Sequence, residues 1–240
     1  MKMTDITRQA RKLLPLGYCG AVIVAAGSAS RMGGIDKVMA PLGGEPMIVK
    51  TVRAFQECDA IREIVVVTRL DLILPIMELC HGFDKVQAVV AGGSSRQESV
   101  KLGLNSLSDK VKLAAVQDGA RPLVTWQVID RAVRAAHSFG AAAPAIPVKD
   151  TIKEATGGVV KKTPDRATLF AVQTPQVFDF HLLRAAMKKV EQDGVQVTDD
   201  CSAVEYLGMT VKLVEGDERN LKVTTPLDLK IAEMLLEETK

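Results

Sequence analysis

The chain is short of the residues that mark several large functional classes. Its 240 residues hold one tryptophan, two tyrosines and six phenylalanines, too few aromatic rings for stacking successive bases of a single strand. Neither sign of charge dominates: 31 basic residues face 29 acidic ones, for a net charge of +2. No block of like charges gives a footprint for a polyanionic macromolecule, so no nucleic acid partner is expected. The four cysteines, Cys19, Cys58, Cys80 and Cys201, lie far apart without a C-x-x-C pair, and the three histidines, His81, His137 and His181, are isolated. A zinc site is not expected from such spacing. No apolar run approaches the roughly 20 residues that cross a bilayer, so no membrane partner is expected either. The N-terminal stretch MKMTDITRQARKLLPLG is basic but lacks the apolar core and cleavage site of a signal peptide. Reduced thiols and no export signal predict a cytoplasmic protein.

What is present is an alternation. Strand-like apolar runs at 19–26, 62–68, 86–91, 112–117 and 141–146 are separated by helical patterns near 46–57, 71–82, 94–107 and 125–138. Buried strands alternating with helices predict an α/β fold, a three-layer Rossmann-like arrangement around a mostly parallel sheet. Pro46 suits a first helical turn, and Ser95 with Glu98 reads as a capping box. The alternation stops at residues 147–168, where two short charged segments flank Gly157-Gly158; this predicts a protruding β-hairpin arm. Beyond it a strand at 168–173, helices near 179–192 and 199–207, and strands near 210–215 and 220–223 are expected. The last helix begins with Thr225 as N-cap, then Pro226 and Asp228. No linker or repeat interrupts the chain, so residues 1–240 are read as one domain carrying the arm.

Residues 21–37, AVIVAAGSASRMGGIDK, concentrate the chemistry. An apolar strand ends at Gly27, and Arg31 and Lys37 follow among glycines. Small residues let backbone N–H groups approach an anion closely while the cations neutralise it. The loop is neither a Walker loop nor a G-x-G-x-x-G fingerprint. Alone it also fits an ordinary surface loop. In open α/β sheets, however, ligands bind beyond the carboxyl ends of strands, and other polar groups recur there. They are Gly92 to Ser99 at a helix start, Asp118-Gly119-Ala120-Arg121-Pro122, Lys149-Asp150-Thr151, Thr174-Pro175-Gln176 and Asn220-Leu221-Lys222. Singly, Asp118, Arg166 and Lys222 also fit turn or surface roles.

Together, AAGSASRMGG-x-DK, AGGSSRQESV, DGARPLV, PVKDT, DR-x₇-TPQ, TDDCSAVE and EGDERNLKVTTPLDL resemble the 2-C-methyl-D-erythritol 4-phosphate cytidylyltransferase family, within the wider nucleotidyltransferase group. The resemblance runs in order from about residue 20 to residue 235. Gly119 stands where the family usually has alanine, and the interval from Arg31 to Lys37 is one residue shorter than in some members. The resemblance implies transfer of CMP from CTP to a sugar phosphate with release of pyrophosphate. It implies catalytic roles for Arg31, Lys37, Arg166 and Lys222, and nucleotide contacts at Ala25, Ala26, Gly27, Gly93, Ser99 and Gly119. Acceptor contacts would fall to Asp118, Arg121, Thr151, Thr174 and Thr198, with Mg²⁺ accompanying CTP near Asp118. Thr151 and Arg166 would complete the site across a homodimer with exchanged arms. A cytidylyltransferase for another polyol phosphate, such as ribitol 5-phosphate, and a non-catalytic nucleotide-binding protein are the alternatives.

Overall fold

A computed structural model of the chain describes residues 15–27 and 37–238. At its centre, β1 (Cys19–Ala25) pairs in parallel with β4 (Ile61–Thr68) on one side and β6 (Leu113–Asp118) on the other. β4 continues in parallel to β5 (Val86–Ala91). Beyond β6 comes β11 (Gln176–Asp179), antiparallel to both β6 and β7 (Ala141–Pro147). β12 (Lys212–Glu215) runs parallel to β7. β10 (Phe170–Val172) lies antiparallel to the far end of β7.

The side-chain alternation of the strands explains the three layers. Ala21, Ile23 and Ala25 of β1 face one core, with α1 (Met47–Glu57), α2 (Ile73–Leu79) and α4 (Trp126–Phe139) packed there through Val52, Phe55, Ile76, Ile129 and Val133. Val22 faces the other, against α3 (Arg96–Asn105), α5 (Phe180–Gln192) and α6 (Asp200–Tyr206) through Val100, Leu104, Leu183, Met187 and Val204. With both faces covered, the central strands read as continuous apolar runs rather than alternating ones. A third, smaller cluster joins Leu42, Met47, Ala120 and Val223 to Ala232 of α7 (Pro226–Glu237). Leu42 belongs to a short pairing of β2 (Pro41–Leu42) with β3 (Glu45–Pro46) that sits under this last helix. Among the described residues, no helix is long and apolar enough to cross a membrane.

The hairpin arm forms as the Gly157-Gly158 pattern predicts. β8 (Glu154–Thr156) and β9 (Val159–Lys162) are antiparallel, and both glycines have positive φ, +59° and +79°. Three expectations differ from the structure. The strand expected at 168–173 is only three residues long, and a second strand, β11, follows the cis Thr174–Pro175 bond. A four-residue strand beside a proline carries too little pattern to be seen in sequence. Residues 220–223 are not a strand: Val223 N–H reaches Ala120 O at 2.8 Å, but Asn220 is tied down through its side chain instead of a ladder. At Ser95 the cap is real, accepting from Glu98 N–H at 3.1 Å. Glu98 nevertheless returns its carboxylate to Ser94 rather than to Ser95, at 2.7 Å from both Ser94 N and Ser94 Oγ, so no reciprocal box forms. The box at Thr225 and Asp228 is complete.

Gly103 sets how closely α3 lies on the sheet. A Cβ there would overlap Val22 Cγ1 and lie 2.8 Å from Val67 Cγ2. Gly103→Ala is therefore expected to destabilise by about 1–3 kcal/mol through overpacking, although alanine is the better helix former. A denaturant midpoint equal to that of the wild type would show that α3 lifts at no cost.

Candidate active site

The carboxyl ends of β1, β5 and β6 open onto a cavity of about 390 Å³, lined by Val24 to Gly27, Lys37, Val38, Gly93 to Arg96, Ser99, Asp118, Ala120 and Lys222. Eight residues selected from sequence thus meet in one place: Ala25, Ala26, Gly27, Lys37, Gly93, Ser99, Asp118 and Lys222. Lys37 reaches back to the start of the glycine-rich loop, its Nζ 3.8 Å from where a Cβ on Gly27 would stand. Arg31 lies outside the described residues.

Local chemistry holds the rim together. Ser99, buried in the first turns of α3, donates through Oγ to Ser95 O at 2.9 Å and accepts from Gly93 N–H at 3.1 Å. A Cβ on Gly92 would overlap that of Ala26 and fall 2.8 Å from Ser99 Oγ. Glycine at 92 is what lets the loops after β1 and β5 touch. Gly119 N–H donates to Val24 O at 2.8 Å, and Gly119 O accepts from Thr51 Oγ1 at 3.0 Å. A Cβ at 119 would sit 3.1 Å from Ala25 Cβ, Ile48 Cδ1 and Val24 O, so this backbone is already in close contact with β1.

Asp118 is the electrostatic centre. Its Oδ2 lies 2.8 Å from Lys222 Nζ and 3.6 Å from Arg121 Nε, and its Oδ1 lies 3.6 Å from Arg96 Nε. Burial pushes this carboxyl up, but Lys222 and Arg96, with Arg121, outweigh it and hold the group below the usual carboxylate range. Arg121 is itself pulled down by burial, against the attraction of Asp118. Its Nη1 donates to Asn220 O at 2.6 Å. Thr174 Oγ1 accepts from Asp118 N–H at 3.1 Å, so Thr174 and Arg121 stand behind the cavity and act on it through Asp118.

Residues 19–238 match the family described as 2-C-methyl-D-erythritol 4-phosphate cytidylyltransferase. The chain belongs to this family. Two relatives of that name are the protein of Caldanaerobacter subterraneus subsp. tengcongensis, 43% identical over 90% of this chain and 97% of its own, and that of Symbiobacterium thermophilum, 44% identical over 90% and 92%. Among solved structures, the 4-diphosphocytidyl-2C-methyl-D-erythritol synthase of Anaerococcus prevotii superposes with a TM-score of 0.84 at 30% identity, covering 92% of this chain and 96% of its own. The Thermus thermophilus cytidylyltransferase superposes at 0.75 with 32% identity, covering 90% and 98%. Members of the family are cytidylyltransferases, a kind of nucleotidyltransferase.

Six of the described residues selected by resemblance do not line the cavity: Gly119, Arg121 and Thr174 stand behind it, and Thr151, Arg166 and Thr198 are exposed. Thr151 and Arg166 are exposed at the base of the arm, where Arg166 Nη1 donates to Lys149 O at 2.8 Å. Thr198 is exposed just before α6, its Oγ1 3.1 Å from Ser202 Oγ. Conversely, sequence reading assigned no role to Arg96, Asp200, Asn220, Gln173 or Gln176. Arg96 lines the cavity and binds Asp200 Oδ2 through Nη2 at 2.7 Å. Asp200 is wholly buried; burial pushes its carboxyl up although Arg96 pulls the other way. Arg96 and Asn220 both stand inside motifs at strand ends, which was the available signal; Asp200 lies 104 positions from Arg96, and Thr174 lies 46 from Asn220.

For a divalent cation, the described residues hold no group of three or more His, Cys, Asp or Glu. Asp118 is the one carboxylate among the described residues lining the cavity, and both its oxygens face cations. Its hard oxygens suit Mg²⁺ when phosphates and water supply the remaining ligands, but the described residues do not by themselves build a cage.

Asn220 has no solvent exposure and donates through Nδ2 to Thr174 O at 3.0 Å and Gln173 Oε1 at 3.3 Å. It fixes the segment that carries Lys222 to the loop that carries Thr174. Asn220→Ala strands those buried acceptors and is expected to cost about 1–3 kcal/mol, read as a lower denaturant midpoint. A change below about 0.5 kcal/mol would show that water replaces the amide without loss.

Proposed function

We propose that the protein transfers CMP from CTP to 2-C-methyl-D-erythritol 4-phosphate, giving 4-diphosphocytidyl-2-C-methyl-D-erythritol and pyrophosphate, as a single cytoplasmic domain. The observation that carries this reading is the meeting of Lys37, Lys222, Asp118 and the glycine-rich strand end around one cavity. A triphosphate and a sugar phosphate are both anions, so the barrier is dominated by repulsion during in-line attack. Positioning and electrostatic stabilisation then supply most of the catalysis. An oxygen of the acceptor phosphate bonds to the α-phosphorus of CTP as the bond to the bridging α–β oxygen breaks, and pyrophosphate carries that electron pair away.

In this reading Arg31 and Lys37 hold the triphosphate. Lys222, with its side chain 41% exposed, turns from Asp118 towards the α-phosphate as charge builds there. Ala25, Ala26, Gly93 and Ser99 face the cytosine, and Gly119 the ribose. Asp118, Arg121, Thr174 and Thr198 serve the acceptor. Asp118 would help to hold Mg²⁺, through water or directly, and the ion would supply charge neutralisation at the CTP phosphates.

Thr151 and Arg166, exposed in a single chain, reach a site in a homodimer that exchanges arms. Support for that assembly comes from the apolar side chains left open on and beside the arm, Ile152, Val159, Val160, Phe170 and Val172, which form more exposed apolar surface than an isolated arm requires.

A panel of sugar and polyol phosphates incubated with CTP, read as pyrophosphate release, tests the reaction. The highest kcat/KM is expected with 2-C-methyl-D-erythritol 4-phosphate. Faster turnover of ribitol 5-phosphate would move the assignment to another polyol phosphate, and CTP binding without turnover of any acceptor would favour a non-catalytic binder. Lys37→Ala and Lys222→Ala are each expected to lower turnover by at least about a hundredfold, as the loss of one electrostatic stabiliser does. A near-wild-type rate in either variant would remove that lysine from the mechanism.

A further inference from the structure

Arg96 sits between two acids that differ in their access to the cavity. Asp118 faces it; Asp200 is wholly buried at the first turn of α6. Two donors of the guanidinium are divided between them, with Nη2 2.7 Å from Asp200 Oδ2 and Nε 3.6 Å from Asp118 Oδ1. The position of Asp200 is itself set by the sheet. Gln176, at the start of β11, accepts through Oε1 from the N–H groups of Asp200 and Cys201, both at 3.0 Å, and donates through Nε2 to Asp199 Oδ2 at 2.8 Å.

We infer that Arg96 and Asp200 are a positioning pair for nucleotidyl transfer. Asp200 holds Arg96 against Asp118, so that Asp118 stays compensated when Lys222 turns to the phosphates. The division of Asp118 between its oxygens supports this. Among the described contacts, Lys222 and Arg121 approach Oδ2, whereas Arg96 approaches Oδ1, so its contact survives the departure of Lys222. A guanidinium free beside a triphosphate would instead fork onto it, leaving Asp118 under-compensated and the phosphates displaced. Asp200 opposes that movement by holding Nη2, the nitrogen that both bidentate edges of the fork need. The pair also ties β11 and α6, which carry the acceptor-side loop, to the start of α3 at the nucleotide cavity.

The inference rests on the proposed transfer reaction, and the test separates the two. Arg96→Gln alone leaves a buried carboxylate without its cation and is expected to lower Tm. Adding Asp200→Asn removes that charge and returns Tm towards the wild-type value. In the double variant kcat should nevertheless remain down by roughly ten- to a hundredfold, the scale of a small misplacement of reacting groups, with KM for CTP and for the acceptor within about threefold of wild type. Asp200→Asn alone retains the Arg96 charge while loosening its hold, and should lower kcat by about tenfold at unchanged KM. Recovery of kcat together with Tm in the double variant would make the pair a mere anchor and overturn the inference. So would wild-type kcat in Asp200→Asn, or a loss confined to KM, which would make Arg96 a direct substrate contact. An inactive wild type would overturn the reaction and the pair together; variants that match an active wild type would overturn the pair alone.

Discussion

The site is organised by the placement of a single negative charge, Asp118, among cations from three distant parts of the chain. Arg96 comes from the start of α3, Arg121 from the loop after β6, and Lys222 from the segment before α7. A buried carboxylate is costly unless compensated, so the fold must bring those cations there whatever else it does. That requirement explains the polar scaffolding around the cavity. Asn220, Gln173 and Thr174 are buried hydrogen-bonding residues, each placed so that Lys222, Arg121 or Asp118 has one available position. In turn, a carboxylate surrounded by positive charge creates a surface on which a cation can be released to an incoming phosphate without leaving Asp118 bare.

The sheet supplies the precision. β1 lies between β4 and β6 with both faces covered by helices, so the strand ends that carry Ala25, Gly92 and Asp118 cannot shift independently. Close approach of their loops depends on small residues at defined points, Gly92 against Ala26 and Gly119 against Ala25 and Ile48. The short antiparallel β11 inserts between β6 and β7 and reaches α6 through Gln176. Rigidity of this kind suits a reaction in which two anions must meet in line and no covalent intermediate with the protein shares the work.

Much of this was legible in the chain itself. Continuous apolar runs and intervening amphipathic stretches suffice for an α/β sheet because each strand is buried on both faces, and Gly157-Gly158 suffices for a hairpin because two successive positive φ values favour glycine. β11 and the non-strand at 220–223 were not legible. In the first, four residues beside Pro175 carry almost no periodic signal; in the second, an alternating pattern exists but the side chain of Asn220 replaces the ladder. Glu98 shows the same limit at a smaller scale. The spacing for a capping box is present, yet the neighbouring Ser94 offers two donors and takes the carboxylate.

The amino-acid sequence by itself determined the chemical character of the site. Small residues after an apolar strand, cations near them, and polar clusters at successive strand ends predict an anion-handling cavity, because a parallel sheet collects its strand ends on one edge. Tertiary structure alone decided the pairings. Arg96 with Asp200 spans 104 positions, and Lys222 with Asp118 joins two motifs that look unrelated along the chain. Periodicity reports which face of an element is buried; it carries no information about which charge will stand opposite another once distant elements pack. For that reason Lys222 was recognisable as a candidate from its motif, while Asp200, hidden beneath Arg96, became visible only in three dimensions.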